Sequence, residues 1–208
     1  MKLYYSAGSC STSCHITLEE SGLKYETVAV DFDKTSDPNV TLVTKLNPLG
    51  TLPVFVTDDG KQLDQNLAIH TYIADKAPTK NLLPPQGTFE RAEAMNLLSF
   101  VATDLHKGIG ALFAVTTVSE DKTVQGAYRK FALGRAKGYL DYLETKLTGK
   151  EFLMGKTFTV ADAYAFVVTG WTKWVEIPLT PYKNISSYMT RVATRPSVAK
   201  VLKEEGLN

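Results

Sequence analysis

The 208-residue chain carries 23 basic and 22 acidic residues, a formal net charge of +1 and 44% hydrophobic residues. That length and composition suit one large or two small domains with a sizeable core and exclude a disordered chain. Balanced charge gives no reason to expect nucleic acid or an anionic membrane as partner, no apolar run approaches the roughly 18 residues of a membrane span, and the start MKLYYSAGSC lacks a signal peptide's apolar stretch.

KLYY reads as a short strand, broken at Gly8 and followed by a helix, STSCHITLEESG, that ends at Gly22. ETVAVDF is β-rich, with Val28 and Val30 on one face. VFVTDDGKQLD predicts a hairpin with a two-residue Asp59-Gly60 turn. NLAIHTYIADKA then has helical spacing. The proline-rich APTKNLLPPQG predicts a linker, here set at 79–87 between a small α/β domain at 1–78 and an all-α domain at 88–208. In the second domain, Leu98, Val101, Leu105, Ile109 and Leu112 form one apolar helical stripe. Ala132, Ala136, Leu140, Leu143 and Leu147 form another, and Val160, Ala163, Val167, Trp171 and Trp174 a third. Pro196 suits the first turn of the last helix.

Both cysteines fall in one stretch, YYSAGSCSTSCHIT. Their C-x₃-C spacing is not that of dithiol redox helices, and two cysteines make no disulfide framework, so a reducing cytoplasm is the expected compartment. Cys10 follows a strand and a glycine and precedes a helix. An anion is favoured there by unpaired N–H groups and the helix dipole, so the thiol is expected to ionise readily or, alternatively, to be a small buried hydrophobe. Cys14, one turn on, is expected in the core, and His15 is expected to cap or pack within the helix. His70 and His106 show no paired ligand spacing, so no metal is expected.

In NPLGTLPVF, Pro53 suits a strand start. A cis Leu52–Pro53 bond would turn the Leu52 backbone outward for an extended peptide to pair with, whereas a trans turn is the default. In LDQNLAI, Asn66 is an N-cap candidate, and Gln65 and Asn66 at a helix N-terminus could cradle a carboxylate. In SFVATDLHKG, Ser99, Thr103, His106 and Lys107 lie at helical intervals as a polar stripe, either solvated or facing a thiolate. Thr159 and Asp162 make a capping box for a helix in the second domain.

These motifs together, MKLYYSAGSCS, NPLGTLPV, LDQNLAI, ATDLHKG and GKTFTVADAYAF, resemble the bacterial cytosolic glutathione transferases of the cysteine-containing beta class, end to end. The resemblance implies an α/β thioredoxin-like N-terminal domain, an all-α C-terminal helical bundle and a two-fold homodimer. It implies a cis Leu52–Pro53, with the Leu52 backbone pairing with glutathione. Gln65 and Asn66 would hold the γ-glutamyl carboxylate, and Cys10, Ser11 and His106 would line the glutathione sulfur. Ser99, Thr103 and Asp104 would lie near the tripeptide, some across the dimer, and Lys34 near its glycyl end. Gln65-Asn66 replaces a pair that is often Glu-Ser or Glu-Gly, and Ser99 a common Asn; one negative charge for the glutathione amine is lost, which Asp104 could restore. The implied activity is conjugation of the glutathione thiolate to small, largely apolar electrophiles, with Cys10-dependent disulfide exchange as a second activity and no cofactor beyond the co-substrate glutathione. Phe113, Trp171 and Trp174 are candidate walls of the electrophile pocket, with core packing as the alternative. Rival readings are a dedicated glutathione-dependent reductase or dehalogenase, and a non-enzymatic docking protein that keeps the same fold.

Overall fold

The computed structural model describes residues 1–34 and 36–207. The chain forms two compact units, Met1–Arg91 with Ala193–Asn208, and Ala92–Val192.

The first unit runs β1 (Lys2–Tyr5), α1 (Ser11–Ser21), β2 (Glu26–Ala29), α2 (Pro38–Leu46), β3 (Val54–Val56), β4 (Gln62–Leu63) and α3 (Asn66–Lys76). The sheet order is β2-β1-β3-β4, with β1 and β2 parallel and the other pairs antiparallel. Central β1 is buried on both faces because its side chains alternate. Leu3 and Tyr5 join Cys14, Leu18, Phe55, Ile69 and Ile73 on the α1 and α3 side. Tyr4 meets Val30, Val43 and Val54 on the other, with Val28 packed against them. Helix α1 stops where Gly22 takes a left-handed φ of 67°. The hairpin loop is longer than the expected two-residue turn. Thr57 N–H bonds the Lys61 carbonyl at 2.8 Å, leaving Asp58–Gly60 as a three-residue loop with Gly60 at φ 81°.

The last segment, α9 (Pro196–Glu204), begins with Pro196 as expected and packs on α1 within the first unit. The bidentate Arg195–Glu20 pair (2.7 and 2.9 Å) and the Lys200–Glu19 pair (2.8 Å) hold it there. The segment 193–208 follows the helical unit in sequence and packs within the first unit.

The second unit contains most of α4 (Phe89–Phe100), a π-helical turn (Val101–Leu105), α5 (His106–Gly110), α6 (Lys122–Lys146), α7 (Val160–Gly170) and α8 (Lys183–Ala193). All of the first two stripes are buried. The stretch Phe89–Ala114 is long and apolar enough to cross a membrane by length and composition alone, but its apolar stripe is used in this core. Gly108 permits a close approach to α6, since a Cβ there would lie 2.5 Å from Tyr139 Cδ2. The third stripe overreaches. Helix α7 ends at Gly170, the chain tightens into a 3₁₀ turn at Trp171–Lys173, and Trp174 is left 49% exposed. The Thr159–Asp162 capping box is present, with Asp162 Oδ2 accepting from Thr159 N at 2.8 Å.

Candidate active site

Cys10 is the N-cap of α1 and uses its side chain for no capping bond. The preceding turn is set by Gly8 at φ 74° and by Ser9 N–H bonding the Ser6 carbonyl at 3.0 Å. Ser11 is fully buried, and its hydroxyl serves this turn. It accepts from Ser6 N at 3.1 Å and lies 2.6 Å from Ser9 Oγ. The half-buried Cys10 thiol donates toward the Leu52 carbonyl at 3.6 Å, and the Leu52–Pro53 bond is cis. The thiol and the backbone beside Pro53, 42 residues apart in sequence, therefore share one end of the sheet.

The sequence placed Asn66 as the α3 N-cap; the cap is Gln65, extended at φ −119° and exposed. Gln65 carbonyl starts the ladder by accepting from Ile69 N at 3.0 Å. Asn66 takes the first helical position, is buried, and turns its amide into α1. It donates to the Cys10 carbonyl at 3.0 Å and accepts from Cys14 Sγ at 3.5 Å.

His70 deepens this contact. It is wholly buried, and burial pushes its imidazole down to about 3, so it is neutral. Ser13 hydroxyl donates to the Cys10 carbonyl at 2.7 Å, which leaves Ser13 Oγ to accept from His70 Nε2–H at 2.9 Å. His70 Nδ1 then accepts from Thr17 Oγ1 at 2.8 Å. The helix pattern of NLAIHTYIADKA places His70 on the core-facing side, but no local signal pairs it with Ser13 and Thr17. Cys14, as expected, is a core thiol, 0% exposed, and burial pushes its pKa well above the ordinary value, with Cys10 adding to the effect. Of the two cysteines, only Cys10 is open to a reagent. Lys34 is solvent-exposed in the loop after β2 and pairs with Asp31 at 3.2 Å.

The remaining candidates belong to the second unit. The π turn, closed by His106 N–H on the Val101 carbonyl, changes the helical register immediately before His106, so the expected uniform polar stripe is interrupted. Thr103 Oγ1 lies 3.0 Å from the Ser99 carbonyl and 2.8 Å from Asp104 Oδ2. His106 Nδ1 is 2.6 Å from Tyr164 Oη, and its ring stands edge-on to Trp171 at 4.8 Å. Burial first, and then the Lys107 charge, push His106 down to about 4, so it too is neutral near pH 7. Trp171 is 6% exposed and packs in the core; Phe113, 6.0 Å from it ring to ring, is 48% exposed.

The chain is similar to known proteins along its whole length. Residues 1–75 match the glutathione S-transferase N-terminal domain family and residues 103–205 its C-terminal domain family. The chain is 36% identical over 207 residues to glutathione S-transferase GstA of Escherichia coli O157:H7, covering 100% of both proteins. Among solved structures it matches a sphingomonad glutathione S-transferase complexed with glutathione (TM-score 0.88, 35% identity). It also matches a bacterial beta-class enzyme of Sphingomonas chungbukensis (TM-score 0.87, 38% identity), and each match covers 100% of both chains. A thioredoxin-like sheet with a helix-capping cysteine, a helical second unit and end-to-end similarity to these enzymes make the chain a member of the glutathione S-transferase family.

Proposed function

We propose that glutathione sits on the first unit with its sulfur at the N-terminus of α1, beside Cys10, and that the chain catalyses two reactions there. In the first, the glutathione thiolate attacks a small, largely apolar electrophile, forming a sulfur–carbon bond as the leaving group departs with its electron pair. In the second, the Cys10 thiolate attacks a disulfide containing glutathione, joins one sulfur and releases the other as thiolate. The observation that carries this reading is the 3.6 Å contact between Cys10 Sγ and the Leu52 carbonyl at the cis Pro53. It gathers the thiol, the helix N-terminus and an open strand-end backbone, the three features an extended cysteinyl peptide needs. The glutathione-bound sphingomonad relative supports the same ligand.

Within this reading, the Leu52 backbone pairs with the cysteinyl residue, and Gln65, exposed at the α3 N-terminus, holds the γ-glutamyl carboxylate. Asn66 supports them from below by fixing the Cys10 carbonyl, and Ser11 braces the turn. Lys34 takes the glycyl end. Ser99, Thr103 and Asp104 are the polar candidates of the helical unit, and neutral His106 there is a hydrogen-bonding group, not a fixed charge. Phe113, with Trp171 behind it, is the apolar surface for the electrophile. The working form is a homodimer in the cytoplasm.

The reading is tested by thermal shift and by retention on immobilised glutathione. At a glutathione concentration about 100 times Kd, ligand linkage gives about 2.7 kcal/mol, or a Tm rise of roughly 5–10 °C for a chain of this size. Flow through the resin together with an unchanged Tm at millimolar glutathione overturns it.

A further inference from the structure

The end of α9 holds the chain on either side of Cys10 in sequence, at Gly8 and Thr12. Glu205, the C-cap of α9, turns its side chain inward, and its carboxylate has no solvent exposure. Oε2 accepts from the Gly8 N–H at 3.2 Å and from the Thr12 hydroxyl at 2.7 Å, while Oε1 lies 2.9 Å from His15 Nδ1. The rings of Tyr5 and Tyr25 flank His15, each centroid 5.6 Å away. His15 Nε2 faces the half-exposed Glu204 carboxylate at 3.4 Å.

Burying a carboxylate costs several kcal/mol unless its oxygens are saturated, so an apolar side chain would dock a helix at lower cost. Docking of α9 is in any case supplied further along by Arg195–Glu20 and Lys200–Glu19. What distinguishes Glu205 is the part of α1 that it grips. Gly8 and Thr12 stand two residues before and two residues after Cys10. Gly8, left-handed at φ 74°, has its buried N–H satisfied by this carboxylate. Asn66, on α3, holds the Cys10 carbonyl, to which Ser13 of α1 also donates. The turn that presents the thiol is thus held twice, once from α3 and once from the far end of the chain.

We propose that Glu205 is a positioning residue for Cys10, a buried strap from the C-terminal segment that holds Gly8 and Thr12 and so keeps the thiol on the axis of α1. The role rests on the reading of Cys10 as the residue at the glutathione sulfur, but its test uses no glutathione. The probe is 4,4′-dithiodipyridine, a small neutral disulfide. The Cys10 thiolate attacks one of its sulfurs, forms a mixed disulfide and releases one thiopyridone, which is read by absorbance, with the adduct mapped to Cys10.

Glu205→Ala, at pH 7 and well below its Tm, is expected to react about ten-fold more slowly, because the thiol leaves the helix N-terminus that favours its anion. Glu205→Gln keeps an acceptor for Gly8 and Thr12 and is expected within about two-fold of the parent. A stability effect alone would not slow the thiol of a folded protein, nor would it be rescued by glutamine. A folded Glu205→Ala that reacts at the parent rate, or a Glu205→Gln that falls as far as alanine, overturns the proposal. If Glu205→Ala does not fold, Thr12→Val removes one strap bond, and a loss of about two- to three-fold is expected; the parent rate there overturns it equally. Failure of the glutathione reading is seen separately, as a parent protein that reacts with dithiodipyridine but not with glutathione disulfide.

Discussion

Cys10→Ala is expected to lower disulfide exchange with glutathione disulfide by at least about 100-fold while glutathione retention and conjugation persist. The exchange needs a protein thiolate, and Cys14, 0% exposed with its pKa pushed up by burial, cannot replace Cys10. Conjugation needs a thiolate too, but glutathione brings its own, and the N-terminus of α1 is still there to favour it. The check is a pair of rates on one preparation, reduction of a glutathione mixed disulfide and conjugation to an aryl halide. Loss of both together would make Cys10 part of the conjugation machinery.

The second large effect is on stability. Asp162→Ala is expected to cost about 3–5 kcal/mol, read as a fall in the denaturant midpoint. Asp162 is fully buried, and its oxygens accept from Leu153 N at 2.8 Å, Thr159 N at 2.8 Å and Thr159 Oγ1 at 2.9 Å. Alanine orphans two buried backbone donors, Leu153 N in the preceding loop and Thr159 N at the cap of α7, a helix buried along nearly its whole length. The effect should also depend on pH. Burial pushes the Asp162 carboxyl up to about 6, against the downward pull of these hydrogen bonds. The folded chain therefore binds this proton more tightly than the unfolded chain, whose carboxyl titrates near 3.9. The stabilising contribution is full below about pH 4 and is lost as pH rises through about 6. The gap between parent and variant should be wider at pH 4.5 than at pH 7.5 by roughly 1–3 kcal/mol. An equal gap at both pH values would mean that the folded carboxyl titrates as it does in the unfolded chain.

What the sequence made legible was local. Strand, glycine, cysteine, helix is a short-range pattern, and it placed Cys10 at the α1 N-terminus. Thr159 and Asp162 were legible for the same reason, since a capping box is read within four residues. Asn66 shows where local reading stops. Its capping preference is real, yet its amide is drawn away by Cys10 and Cys14, more than fifty residues distant, and Gln65 takes the cap. Glu205 was out of reach altogether, because its partners Gly8, Thr12 and His15 lie some 190 positions away and nothing near the C-terminus marks a buried carboxylate. The π turn before His106 and the 3₁₀ turn at Trp171 escaped because a stripe drawn at constant helical spacing assumes a constant helix.

The claim at the centre of this account is that the sulfur of glutathione lies beside Cys10. The direct measurement is intact mass and peptide mapping of the folded chain after incubation with glutathione disulfide. One glutathionyl group per chain, on Cys10 and absent from Cys14, is the predicted result. A folded chain that takes up no glutathionyl group, or takes it up on Cys14, would contradict it.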